Sequence, residues 1–269
     1  MLIMKKIFIL VVICLIGPTL LAHEFWLEPE KFIYQPGDNI VVRFKVGEDF
    51  HGENWKDNGS IIQNLMVYQG DVEDNLSEIF TKSPCDSLEF SCFEEGMQMI
   101  AYSSIIAQRK TEAEKFNQFL KAKGLQDVLT YRLEHNQTDS AGKEQYQSCI
   151  KTMIQVGSLF DETFSRPTNL LVDIIPAKNP YSLKSGDSLT LKLLFKSKAM
   201  VNSQVRIWHR EDEMSTRLEI RTDSLGQVTF PVTTSGVWMV SVLKMLRLEA
   251  PGKADWQSFD GSLTWGYQR

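Results

Sequence analysis

Ile40-Val41-Val42-Arg43-Phe44-Lys45-Val46 places an apolar side chain at every second position, with Val41, Arg43 and Lys45 between them. A period of two is that of a strand with one face in a core. Pro36-Gly37-Asp38, just before it, is a turn signal. Working outward, 61–69 and 98–105 read as further strands. In the second half, short strands recur at 188–196, 204–210, 227–232, 236–246 and 261–267. Ser185-Gly186-Asp187, Asp223-Ser224-Leu225-Gly226 and Pro251-Gly252 punctuate them. Short strands divided by such turns predict a β-sandwich.

Between about 110 and 156 the period changes. Ala113, Phe116, Phe119 and Leu120 recur at helical spacing, and Gly124 can end that helix. Leu125, Val128, Leu129 and Arg132 predict a second short helix. Tyr146, Cys149, Ile150, Met153 and Ile154 predict a third. The chain therefore reads as mainly β: two β-sandwich-like domains, at 23–170 and 171–269. The first carries the helical insertion, and the second is immunoglobulin-like or transthyretin-like.

Lys5 and Lys6, an apolar run over 7–21 and small Ala22 form the pattern of a secretory leader at 1–22. The run is too short for a comfortable membrane span. Cutting the 269-residue chain after Ala22 leaves 247 residues starting at His23, and losing the two lysines takes the net charge from −5 to −7. The expectation is a periplasmic or secreted protein without the basic footprint of a nucleic-acid binder. Of the three remaining cysteines, Cys85 and Cys92 flank a short loop-like stretch and can bridge in an oxidising compartment. Cys149 reads as a buried apolar thiol.

No Gly-rich phosphate loop, Gly-x-Ser-x-Gly elbow, His-Glu-x-x-His or Cys-x-x-Cys is present, so catalysis is not expected. Four histidines, His23, His51, His135 and His209, are the candidates for chemistry. Cleavage after Ala22 would give His23 a free α-amine with an ordinary pKa near 8. Amine and imidazole could then chelate one ion, as suits Cu or Ni. His51 or His209 would complete the set, with Met245 and Glu24 as weaker donors. The competing reading makes His51 a solvated loop residue and His209 a satisfied strand residue, since it shares parity with Val205 and Ile207. His135 sits in a polar stretch. The six tryptophans, Trp26, Trp55, Trp208, Trp238, Trp256 and Trp265, either fill a core or form a ligand platform.

Ala22-His23-Glu24-Phe25-Trp26-Leu27-Glu28-Pro29, followed by Val46-Gly47-Glu48-Asp49-Phe50, resembles the start of the family called domain of unknown function 4198. Ile174-Ile175-Pro176-Ala177-Lys178-Asn179-Pro180-Tyr181, Arg221-Thr222-Asp223, Gly236-Val237-Trp238 and Ala254-Asp255-Trp256-Gln257-Ser258 resemble its later segments. The resemblance implies export, a β-rich build and a periplasmic role in nickel or cobalt uptake beside a membrane ABC-type transporter. The family often has a His-Met pair where this chain has Lys244-Met245. Two functions follow as expectations: capture of nickel, cobalt or copper, with His23, His51, His209 and Met245 as ligands, or a non-metal module that recognises a glycan, peptide or protein partner.

Overall fold

The structure, a computed structural model, describes residues 24–55, 61–78, 86–249 and 252–268. Their centre is a mixed sheet. Its order is β15 (Met214–Arg221), β14 (Gln204–Glu211), β17 (Val237–Arg247), β18 (Trp256–Gly266), β10 (Gly142–Val156), β8 (Gly96–Ser104), β5 (Ile62–Gln69) and β6 (Val72–Asn75). Strands β2 (Ile33–Tyr34) and β9 (Ala107–Thr111) also pair with β10. The parallel pair β10–β18, from Glu144↔Trp256 to Thr152↔Thr264, joins strands of the two sequence halves into one sheet.

Two smaller sheets cover opposite faces of it. One holds β1 (Glu24–Pro29), β3 (Asn39–Glu48), β4 (His51–Asn54) and β7 (Ser87–Ser91). The other holds β11 (Val172–Pro176), β12 (Ser188–Phe195), β13 (Lys198–Ala199) and β16 (Gln227–Pro231). The alternation of β10 shows the arrangement. Ile150 and Ile154 pack with Leu27, Ile40, Val42 and Phe44, whereas Cys149 and Met153 pack with Ile174, Leu189 and Leu191. The build is mainly β and sandwich-like, as the alternation predicts.

Helices α1 (Ala113–Ala122) and α2 (Gln126–Glu134) pack Phe116, Leu120 and Val128 onto Leu243, Met245 and Trp256. Gly124, at φ +69, follows the first. The expected third helix over 146–154 is instead the middle of β10. Residues 147–156 are all buried, because sheets lie against both faces, so polar–apolar alternation disappears. The spacing of Cys149, Ile150, Met153 and Ile154 matches a helix only by coincidence.

The turn between β3 and β4 carries Asp49 at φ +48 and Phe50 at φ +64, the left-handed pair of a two-residue hairpin. A bulky residue resists that conformation. Phe50 is held there by burial, by an edge-on contact with Trp26 at 5.4 Å and by the Arg210 guanidinium 4.4 Å from its ring centre. Gly47 and Gly52 face each other in this hairpin. A Cβ on Gly52 would meet Val46 O at 2.4 Å and Trp26 Cη2 at 2.7 Å.

Candidate functional site: a charged cleft at the head of β1

β1 lies across the joint between the two halves of the central sheet. Ser262 Oγ donates to Phe25 O (2.9 Å) and Thr264 Oγ1 to Leu27 O (2.6 Å). The side chains of Glu24 and Glu28 meet β14: Arg206 Nη2 lies 2.6 Å from Glu24 Oε1, and Arg210 Nη2 donates to Glu28 Oε1 (2.8 Å). Glu24 Oε1 also accepts from Lys123 Nζ at 2.7 Å, just after α1. All three side chains of this triad are buried.

Glu24 and Arg206 of the triad line a cleft of about 570 Å³, together with Glu48, Asp49, Lys121, Arg217 and Glu219. Arg217 bridges Asp49 (3.0 Å) and Glu219 (3.2 Å). Behind the triad, Arg109 pairs with buried Glu144, which also accepts from Ser258 Oγ (3.1 Å). Asp260 lies deep in the protein yet keeps some solvent contact. Burial pushes its carboxyl up despite nearby Lys123, Arg109 and Arg206. Burial likewise raises Glu144, against the pull of Arg109, and lowers Lys123, against Glu24. The buried Ser241 hydroxyl has no partner among the described residues.

The sequence-predicted ligands separate. His23 lies outside the described residues, as does Cys85. His51 is exposed at the start of β4. Glu24 pairs with Gly47 and Gly47 with Gly52, and one step along the hairpin Glu48 faces His51. His51 is thus two strands from the head of β1, roughly 10 Å by ordinary strand spacing.

His209 points the other way. Arg206 and Arg210 reach β1, so alternation directs Val205, Ile207 and His209 to the opposite face. There His209 stacks on Trp238 (4.4 Å between ring centres), and its Nε2 lies 3.0 Å from Ser235 O and 3.3 Å from Thr233 Oγ1. Met245 is buried under the helices. It pairs with Ser258, whereas the Trp238 opposite His209 pairs with Trp265. The seven residue steps from Trp238 to Met245 span about 23 Å of strand, so His209 and Met245 cannot share an ion. Exposed His135 stacks on Tyr131. Among the described residues, no three His, Cys, Asp or Glu side chains come together as a metal site.

Five tryptophans are buried core residues, and Trp55 is half-buried against Phe25. Cys149 is a buried thiol raised to about 11 by its apolar surroundings. Cys92 is a buried free thiol. Lys123, Arg206 and Asp260 are not singled out by sequence reasoning. The one available signal is the polar row Ser258, Asp260, Ser262 and Thr264 on a strand that is otherwise core.

Fold and site together define a β-sandwich-like protein with a charged cleft where its two halves meet. The chain belongs to the family described as Domain of unknown function (DUF4198), which matches residues 20–245. No curated protein matches it. Among solved structures, the three N-terminal domains of the bacteriophage RB49 highly immunogenic outer capsid protein (Hoc) are 11% identical, with a TM-score of 0.20. That match covers 90% of this chain and 59% of the capsid chain. Escherichia coli alpha-2-macroglobulin activated by porcine elastase is 12% identical, with a TM-score of 0.22, covering 92% of this chain and 22% of the other. Neither likeness carries an argument about function.

Proposed function

We propose that the chain is an exported, non-catalytic binding protein that captures a transition-metal ion, nickel, cobalt or copper, for a membrane transporter. The observation that supports this is the register at the head of β1. Glu24, the residue after His23, pairs with the hairpin that carries Glu48 opposite His51. Leader removal after Ala22 would supply an amine and an imidazole beside that hairpin, with His51 as a third nitrogen donor. His209 and Met245 drop out of the donor set. Glu48 and Asp49 would add negative potential for a cation.

The test is calorimetric titration of nickel and copper into three versions: the chain beginning at His23, the same chain with one extra residue before His23, and the His51→Ala variant. Tight binding in the first, weakened at least about tenfold in the others, is expected. Equal affinity in the first two would remove the amine from the site, and mass spectrometry of exported material showing a different cleavage bond would remove the ligand pair altogether.

A further inference from the structure

A second cleft lies at the far end of the central sheet, beyond the ends of the parallel strands β10 and β18. It encloses about 580 Å³, and its lining includes Gln155, Phe160, Tyr181, Ser185, Thr234 and Tyr267. Gln155 is only 2% exposed. Its Nε2 donates to Val156 O (3.1 Å) and Leu159 O (2.9 Å), which fixes the amide, while its Oε1 has no partner. A buried acceptor without a donor is costly unless something fills the place.

The two tyrosine rings are held in place. Tyr181 Oη donates to Met153 O (2.6 Å) and Tyr267 Oη to Pro180 O (3.0 Å), and the rings meet edge-on at 6.0 Å. Phe160 stands at the rim, 53% exposed. Lys184 is the one charged residue in this lining, which holds no carboxylate. The composition therefore contrasts with the charged cleft at the head of β1.

We propose that this second cleft binds a neutral, polyhydroxylated ring of monosaccharide size. Its volume suits such a ligand. The C–H face of the ring would lie on Phe160 and Tyr267. Its hydroxyls would meet Ser185, Thr234 and the unfilled Gln155 acceptor. The site is independent of the metal reading.

Saturation-transfer NMR on the chain beginning at His23 tests it, with methyl glucoside and N-acetylglucosamine as sugar probes and indole as a purely aromatic one. Transfer to sugar ring protons is expected. Phe160→Ala, whose exposed side chain is not needed for folding, should weaken it roughly tenfold. Thr234→Val should weaken it as well, and His51→Ala should leave it unchanged. Absence of sugar transfer at millimolar probe, binding of indole alone, or sugar transfer undiminished in Phe160→Ala would each overturn the proposal.

Discussion

Glu24→Gln is the substitution that most directly probes the joint. The carboxylate of Glu24 faces two buried cations, Lys123 at 2.7 Å and Arg206 at 2.6 Å. Glutamine keeps the shape and one acceptor but removes the charge. Breaking a buried pair by deleting one partner costs about 3–5 kcal/mol, because the other charge stays buried and uncompensated. The retained amide oxygen places this case near the low end, at about 3 kcal/mol. For a chain of this size that is a fall in Tm of roughly 6–12 °C, measured by calorimetry or circular dichroism in chelator-treated buffer. Adding Lys123→Met removes one of the stranded cations, so the double variant should lose less than Glu24→Gln alone. The pH dependence has a definite sign. Burial already lowers Lys123 in the folded state, and losing Glu24 lowers it further. The folded protein then binds fewer protons than the unfolded chain, so the stability of Glu24→Gln should rise with pH between the two Lys123 pKa values. A Glu24→Gln protein within about 0.5 kcal/mol of the parent, or a double variant no better than the single, would refute the reasoning.

The remaining expectations concern the same joint and its surroundings. Asp260 has a folded pKa raised above its unfolded value, so the stability it contributes is present in acid and lost as pH rises through the folded pKa. Asp260→Asn should therefore be more stable than the parent at pH 7, by on the order of 1 kcal/mol. The gap should close on acidification; denaturant melts across pH would show it, and a less stable variant at pH 7 would contradict it. Gly52→Ala should cost roughly 1–3 kcal/mol, because its Cβ would strike Val46 O and the Trp26 ring; an unchanged Tm would contradict that. Cys149 is 1% exposed, with its thiol pushed up to about 11. It should resist a thiol reagent in the native protein and react in denaturant, with peptide mapping separating it from the other thiols. The continuous central sheet should make unfolding a single transition, with tryptophan fluorescence and far-ultraviolet circular dichroism coinciding; two separated transitions would show that the halves fold apart.

The half-exposed strands were the legible part of the fold. In β3, Val42 and Phe44 are buried while Val41, Arg43 and Lys45 are not, so the pattern carries the answer. The centre was not legible, because β10 is covered on both faces and its residues lose the alternation that marks a strand. Strand β15 hid for a related reason at the other extreme. It is a sheet edge, and most of Met214–Arg221 is exposed. For the site, parity alone placed His209 with Val205 and Ile207, and the stack on Trp238 agrees. Lys123 and Arg206 could not be read as partners of Glu24, because 99 and 182 residues separate them from it in the chain. Only the crossing of β1 over the joint brings them together.

That crossing ties the fold to the site. One short strand serves both halves of the central sheet: Leu27 enters the core against β8 and β10, and Glu24 and Glu28 pair with arginines of β14. Its backbone adds to this, since Phe25 O and Leu27 O accept from β18. The charged groups are buried because β1, the β3–β4 hairpin and the α1–α2 pair each cover part of one sheet face and leave a polar seam between them. A seam of this kind has a defined cost in desolvation, visible in the raised carboxyls of Asp260 and Glu144 and the lowered ammonium of Lys123. An apolar seam of the same volume would avoid that cost. Glu24 and Arg206 of this seam line the cleft, whereas His209 is engaged by its stack on Trp238, so the head of β1, not the histidine of β14, is the place to look for the ligand.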